Sequence, residues 1–119
     1  MENQGKKVAV IGSRTIHKAP GVGKIIAAQN PVEIVGGGCM GATKIGKKYA
    51  EVFELKYVEF LPDYGRYGRI APHVRNEEIA KYCDVMIAIW DGKSKGTKSE
   101  MEKARRKGKK VIIFRVDGV

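Results

Sequence analysis

The chain has 119 residues, of which 43% are hydrophobic, so we assign residues 1–119 to one domain with its own core and exclude wholesale disorder. The longest apolar run, Val85–Trp90, is too short to cross a membrane, and no signal-peptide pattern precedes the first predicted strand, which favours a cytoplasmic protein. The net charge of +10 favours an anionic partner, namely a nucleotide, a nucleic acid or another acidic surface.

Short apolar runs alternate with helical patterns along the whole chain. Because such alternation is typical of parallel sheets with helices packed on them, it predicts an α/β fold. We expect a single Rossmann-like, doubly wound domain of about five parallel strands with helices on both faces. The predicted strands are Val8–Ile11, Val32–Val35, Lys56–Leu61, Asp84–Trp90 and Lys110–Val116, and the predicted helices are Pro20–Asn30, Ala42–Phe53, Val74–Tyr82 and Thr97–Lys107.

Glycines and charged or hydroxyl side chains follow the predicted strands. In a parallel sheet all strands end at one edge, and ligands bind there. The sequence therefore predicts a ligand site at the carboxyl edge. The segments that meet there are Gly12–Arg14, Gly36–Gly41, Pro62–His73 and Asp91–Gly96.

The segment Gly36–Gly41 leads from a strand into a helix. Glycines let backbone amides approach an oxyanion closely, and a helix N-terminus favours negative charge, so this segment is a candidate phosphate cradle. Its spacing departs from the full dinucleotide fingerprint, and no P-loop motif occurs. A tight turn without a ligand is the alternative.

The loop Gly92–Thr97 also precedes a helix, and we expect a phosphate to bind between it and Gly36–Gly41. Thr97 and Glu100 have the spacing of a capping box, in which each would satisfy the other's backbone amide. Glu100 is therefore either a helix cap or a catalytic carboxylate, and the local sequence leaves both interpretations open.

Arginine and tyrosine alternate with glycine in Tyr64–Arg69; arginine can fork onto a phosphate and tyrosine can stack on a base. Arg75 is expected at the start of a helix, where a cation is unfavourable unless an anion joins it. We expect Arg14, Arg69 and Arg75 to converge on one cleft, with the basic cluster Lys103–Lys110 elsewhere. A solvated loop, surface charges and a favourable helix C-terminus are the alternatives.

Cys39 and Cys83 have no metal-ligand spacing with each other or with the two histidines, so neither a metal nor another cofactor is expected.

These segments together resemble the SLOG superfamily, which contains the Lonely Guy phosphoribohydrolases and the DNA-processing protein A core, and are most similar to its YspA-like branch. The resemblance covers nearly the whole chain and implies a Rossmann-like domain that binds a nucleotide or nucleotide-derived ligand. The matching pieces are Val10–Arg14, Val35–Ala42, Tyr67–Arg69, Val74–Glu77 and Ile89–Thr97.

The resemblance also implies roles for two residues. Lonely Guy enzymes use an Arg and the Glu of G-G-x-G-T-x-x-E to cleave a nucleoside monophosphate into base and ribose phosphate, and the matching residues are Arg75 and Glu100. The chain departs from these families at two places. The loop Trp90–Lys95 is longer, which affects the expected substrate geometry, and Thr43 stands where YspA-like sequences carry an acid, which affects any metal or ribose contact made by that acid. The relatives also imply a homodimer.

Three functions therefore compete: an N-glycosidase acting on nucleoside 5′-monophosphates, a non-catalytic sensor or sink for an ADP-ribose-like signal, and a nucleic-acid-binding module, for which aromatic platforms are few. The candidate catalytic residues are Arg75 and Glu100; the candidate ligand-binding residues are Gly12, Ser13, Arg14, Gly36, Gly37, Gly38, Met40, Gly41, Arg69, Asn76, Asp91, Gly92, Ser94, Gly96 and Thr97.

Overall fold

The structure, a computed structural model, describes residues 5–38 and 41–116. Strands and helices alternate along these ranges. The strands are β1 (Lys6–Gly12), β2 (Pro31–Gly36), β3 (Lys56–Glu59), β4 (Val85–Trp90) and β5 (Lys110–Arg115). The helices are α1 (Val22–Ala28), α2 (Ala42–Val52), α3 (Tyr64–Tyr67), α4 (Ala71–Tyr82) and α5 (Lys95–Arg106), with a 3₁₀ turn at Gly68–Ile70.

The five strands form one sheet in the order β3-β2-β1-β4-β5, and every neighbouring pair is parallel. The predicted fold class is confirmed. Strand β1 lies in the middle, with β2 and β3 on one side of it and β4 and β5 on the other. The strand order therefore reverses at the boundary between β1 and β4. The loops that follow the strands therefore all lie at one edge, and β1 separates the loop after β2 from the loop after β4.

Successive residues of β1 alternate between the two faces of the sheet, as the pleat requires. Val8 and Val10 belong to the core layer that includes buried residues of α1 and α2. Ala9 and Ile11 belong to the layer that includes buried residues of α4 and α5. Helices thus cover both faces, which is why β1 and β4 read as almost continuous apolar runs. No helix in the described ranges is long and apolar enough to cross a membrane.

The segment between β3 and α4 differs from its prediction as an irregular loop. The Asp63 side chain accepts a hydrogen bond from the Arg66 amide at 3.1 Å and caps α3. Helix α4 then begins at Ala71, with Pro72 in its first turn, and not at Val74. Arg75 is consequently in the second turn. The prediction that it is an unfavourable cation at a helix N-terminus is therefore wrong.

Helix α2 approaches the sheet closely at Gly46, where a Cβ would lie 2.6 Å from Val10 Cβ and 3.2 Å from Ile34 Cγ2. Gly46→Ala should therefore destabilise the fold by about 1 kcal/mol or more, because overpacking outweighs the gain in helix propensity. Gly23→Ala in α1 is the matched control, since a Cβ there meets no described atom within 4 Å. Urea unfolding should show opposite signs for the two variants; equal stabilisation would contradict this packing.

Candidate functional site

Ser13 joins three elements at the carboxyl edge of the sheet. Its amide donates to the Ile89 carbonyl at 3.0 Å, and its carbonyl accepts from the Ala42 amide at 3.2 Å. Its buried hydroxyl accepts from the Asp91 amide at 3.3 Å. Ser13, predicted to contact a ligand, thus holds the ends of β1 and β4 and the start of α2 together.

The chain after β1 packs directly on the start of α2 at Gly41. This glycine has φ +75°, and a Cβ on it would lie 2.7 Å from the Ser13 carbonyl oxygen and against the Arg14 carbonyl as well. Gly12 is equally confined, because its Cβ would lie 2.7 Å from the Ala42 Cβ. Close backbone packing therefore accounts for both glycines.

An open cleft of about 370 Å³ lies at the carboxyl end of β2, within the size range of small-molecule sites. Its lining combines two arginines and the Gly37–Gly38 backbone with a tyrosine and two prolines. The cleft brings together Arg14 and Arg75, as expected. Its described lining residues are Arg14, Gly37, Gly38, Pro62, Tyr64, Pro72 and Arg75.

Arg75 is only 8% exposed, although it lines this cleft. Its Nη1 donates to the Gly37 carbonyl at 2.6 Å, and its Nε donates to Asn76 Oδ1 at 2.7 Å. A Cβ on Gly37 would lie 3.0 Å from Nη1, so the glycine lets the guanidinium approach. Asn76, a predicted ligand-binding residue, thereby orients Arg75.

Glu100 lies on α5 and is 8% exposed. Burial raises the pKa of its carboxyl to about 7, and the positive charges of Arg75 and Lys103 oppose that rise. Its neighbour Lys103 is also buried and donates to Ser99 Oγ at 2.9 Å. A carboxyl with a pKa near neutrality suits proton transfer, but Glu100 is not among the described residues that line the cleft.

The capping interpretation of Glu100 is wrong. Helix α5 begins at Lys95, two residues before the predicted start, and its N-cap is Ser94. The Ser94 hydroxyl accepts from the Thr97 amide at 3.3 Å and lies 3.1 Å from the Thr97 hydroxyl. Glu100 is therefore in the second turn, beyond the reach of that cap.

Backbone amides of the loop after β4 are hydrogen-bonded within the loop itself. Asp91 Oδ1 accepts from the amides of Lys93 and Ser94, both at 2.8 Å, and these bonds lower the pKa of the Asp91 carboxyl. The Arg115 guanidinium packs against Gly92. The two glycine loops share one edge, as expected, but none of the described cleft-lining residues comes from this second loop.

None of the remaining predicted residues is among the described residues that line this cleft. Arg69 is exposed on the 3₁₀ turn and is not among the described lining residues, so two of the three arginines converge there. Gly36 is buried at the end of β2, and Gly96 is exposed in the first turn of α5. Met40 lies outside the described residues.

Several cations of the Lys103–Lys110 cluster make contacts within the protein. Lys107 pairs with Glu77 at 2.9 Å, and this bond lowers the pKa of the Glu77 carboxyl. Lys109 donates to the carbonyl oxygen of Lys81 at 2.9 Å. None of the described residues that line the cleft belongs to the Lys103–Lys110 cluster, although the charge of Lys103 acts on Glu100.

No protein-family model, curated protein or solved structure matches this chain. The site is therefore interpreted from its own geometry.

The buried carboxyl of Glu100 makes stability depend on pH. Its pKa of about 7 in the folded state exceeds the ordinary 4.5, so the folded protein binds the proton more tightly. Stability from this group is full below pH 4.5 and is lost as pH rises through 7, by about 3 kcal/mol at 1.36 kcal/mol per pKa unit. Glu100→Gln stays neutral, so its stability relative to wild type should rise by about that amount between pH 5 and pH 8.

Urea unfolding at a series of pH values measures this difference. Glu102→Gln is the matched control, because Glu102 is an exposed carboxylate on the same helix. Parallel pH profiles for wild type and Glu100→Gln would show that Glu100 is ionised in the folded protein at little cost.

Proposed function

We propose that this protein binds a nucleotide or nucleotide-derived ligand in the cleft at the carboxyl end of β2. The observation that carries the proposal is the composition of the cleft lining. Arg14 and Arg75 line a cavity of about 370 Å³ together with Tyr64 and two prolines. A nucleoside 5′-monophosphate likewise combines an anionic group with a flat, weakly polar base.

The two arginines of the cleft fit a phosphate. A guanidinium presents its donors in a planar fork that matches phosphate oxygens, and its charge is permanent. Arg75 is held in place by Gly37 and Asn76 before any ligand arrives, which reduces the entropy lost on binding. Arg14 is exposed and supplies a second positive charge.

The tyrosine and the two prolines of the cleft fit a base or a similar ring. Tyr64 is 60% exposed, and Pro62 and Pro72 line the same cavity. Stacking of a base on an aromatic ring contributes about 1–3 kcal/mol per base in nucleic-acid complexes. A nucleotide should therefore bind more tightly than inorganic phosphate, which has no ring to stack on Tyr64.

Calorimetric titration with AMP, adenosine and inorganic phosphate tests the proposal. Wild type should bind AMP more tightly than either fragment. Arg14→Ala should weaken AMP binding roughly tenfold, as expected for a charge-assisted hydrogen bond, and leave adenosine binding unchanged. Tyr64→Ala should weaken binding of AMP and adenosine but not of phosphate.

Arg105→Ala is the matched control for Arg14→Ala. Arg105 is an exposed arginine in the last turn of α5. Equal loss of AMP affinity in both arginine variants would indicate only general charge attraction. AMP binding no tighter than adenosine binding would contradict a phosphate site.

A second candidate, hydrolysis of the N-glycosidic bond, is favoured by the buried Glu100 beside Arg75. In that reaction water attacks the anomeric carbon, and its proton passes to the Glu100 carboxylate. The bond from that carbon to the base breaks, and the base leaves with the electron pair and takes up a proton. The resemblance to the SLOG superfamily supports the same two residues.

Release of free base from a panel of nucleoside 5′-monophosphates measures this activity. Glu100→Gln should lower turnover by roughly 10²–10⁴-fold, the usual contribution of a general base. Because the base must be ionised, wild-type turnover should fall as pH drops below about 7. Nucleotide binding without base release from any substrate would favour a sensor or sink, and an active Glu100→Gln would exclude Glu100 as the base.

The nucleic-acid interpretation has less support from the structure. Lys107 and Lys109, which belong to the most basic segment, make contacts with α4 and the residues next to it. Much of that segment's charge is therefore used within the fold. A homodimer, which the resemblance implies, stays a prediction.

A further inference from the structure

A second cavity, of about 480 Å³, lies between the segment that follows β1 and helix α2. Its polar rim consists of three lysines and a histidine, and its other described lining residues are small or apolar. No carboxylate is among the described lining residues. We call it the basic pocket, with the rim His17, Lys18, Lys44 and Lys48 and an apolar part that includes Pro20 and Ile45.

Two lysines of the rim lie where their positive charges destabilise the ligand-free protein. Lys44 lies in the first turn of α2, where the helix dipole repels a cation. Lys48 follows it by four residues on the same face, and like charges at this spacing repel each other. The first turn of α2 contains no acidic residue, and its N-cap, Gly41, offers no side chain. A bound anion would relieve both repulsions.

The basic pocket is separate from the nucleotide cleft. The two cavities have no described lining residue in common. The wall between them includes the backbone of Arg14, packed against Gly41. An anion in the basic pocket would therefore make its own contacts, independent of a phosphate at Arg75.

We propose that the basic pocket is a second ligand site, which takes a small organic polyanion that carries a diphosphate or triphosphate group. Three lysines on one rim match several negative charges better than a single phosphate. The apolar part beside Ile45 and Pro20 accommodates the organic portion of such a ligand. Its volume, in the range of small-molecule sites, favours a small ligand over an extended polymer.

Calorimetric titration of the full chain with inorganic tripolyphosphate and with ATP tests the proposal. Both should bind to wild type, and ATP should bind more tightly because of its organic part. The double variant Lys44→Glu/Lys48→Glu should weaken both by roughly tenfold or more, since each reversal replaces an attraction by a repulsion. Both lysines are exposed, so the fold should tolerate the change; Lys44→Gln/Lys48→Gln should show a smaller loss.

Lys6→Glu/Lys110→Glu is the matched control, because it changes the net charge equally at exposed positions where β1 and β5 begin, at the opposite edge of the sheet. Equal losses in the two double variants would overturn the proposal, as would absence of tripolyphosphate binding to wild type. Arg14→Ala should weaken tripolyphosphate binding much less than Lys44→Glu/Lys48→Glu does; a loss as large as in that double variant would assign the polyanion to the nucleotide cleft. Displacement of ATP by a duplex oligonucleotide at far lower concentration would indicate a nucleic-acid surface instead.

Discussion

The candidate site depends on one buried positive charge, the guanidinium of Arg75. Removing such a group from water is costly unless hydrogen bonds and opposite charge replace the water. The Gly37 carbonyl and the Asn76 side chain accept hydrogen bonds from it, and Glu100 lies close enough for the guanidinium charge to lower its pKa. The two hydrogen bonds connect the end of β2 with α4, so the arginine fixes the loop, and its charge acts on the carboxyl of Glu100 on α5.

That arrangement also explains why the open cleft lies beside β2 and not beside β4. The loop after β2 has no side chain at Gly37, so Arg75 can lie against its backbone while still lining a cavity. The loop after β4 contains Asp91, whose carboxylate accepts from the amides that a phosphate would need. The two glycine-rich loops look alike in sequence, but in the second loop the Asp91 carboxylate already accepts hydrogen bonds from the loop's own amides.

The sequence predicts the fold well because apolar periodicity and the handedness of parallel crossovers leave few arrangements. It predicts the first turn of α4 poorly, although Pro72 is a signal for a helix start. An Asp followed by Gly, as at Asp91, is likewise a recognised turn pattern. The burial of Arg75, Glu100 and Lys103 had no local signal, because it arises where α4 and α5 pack together.

The positive charge of the chain serves different purposes in different places. Near the start of β5, Lys109 binds a carbonyl oxygen at the end of α4, so its charge stabilises the fold. At the two cavities the cations line open space, and the wall between these cavities contains Gly41 packed on the backbone of Ser13 and Arg14. Because Ser13 also holds the ends of β1 and β4, this wall cannot shift without loosening the sheet edge. The two cavities are therefore adjacent but structurally fixed relative to each other.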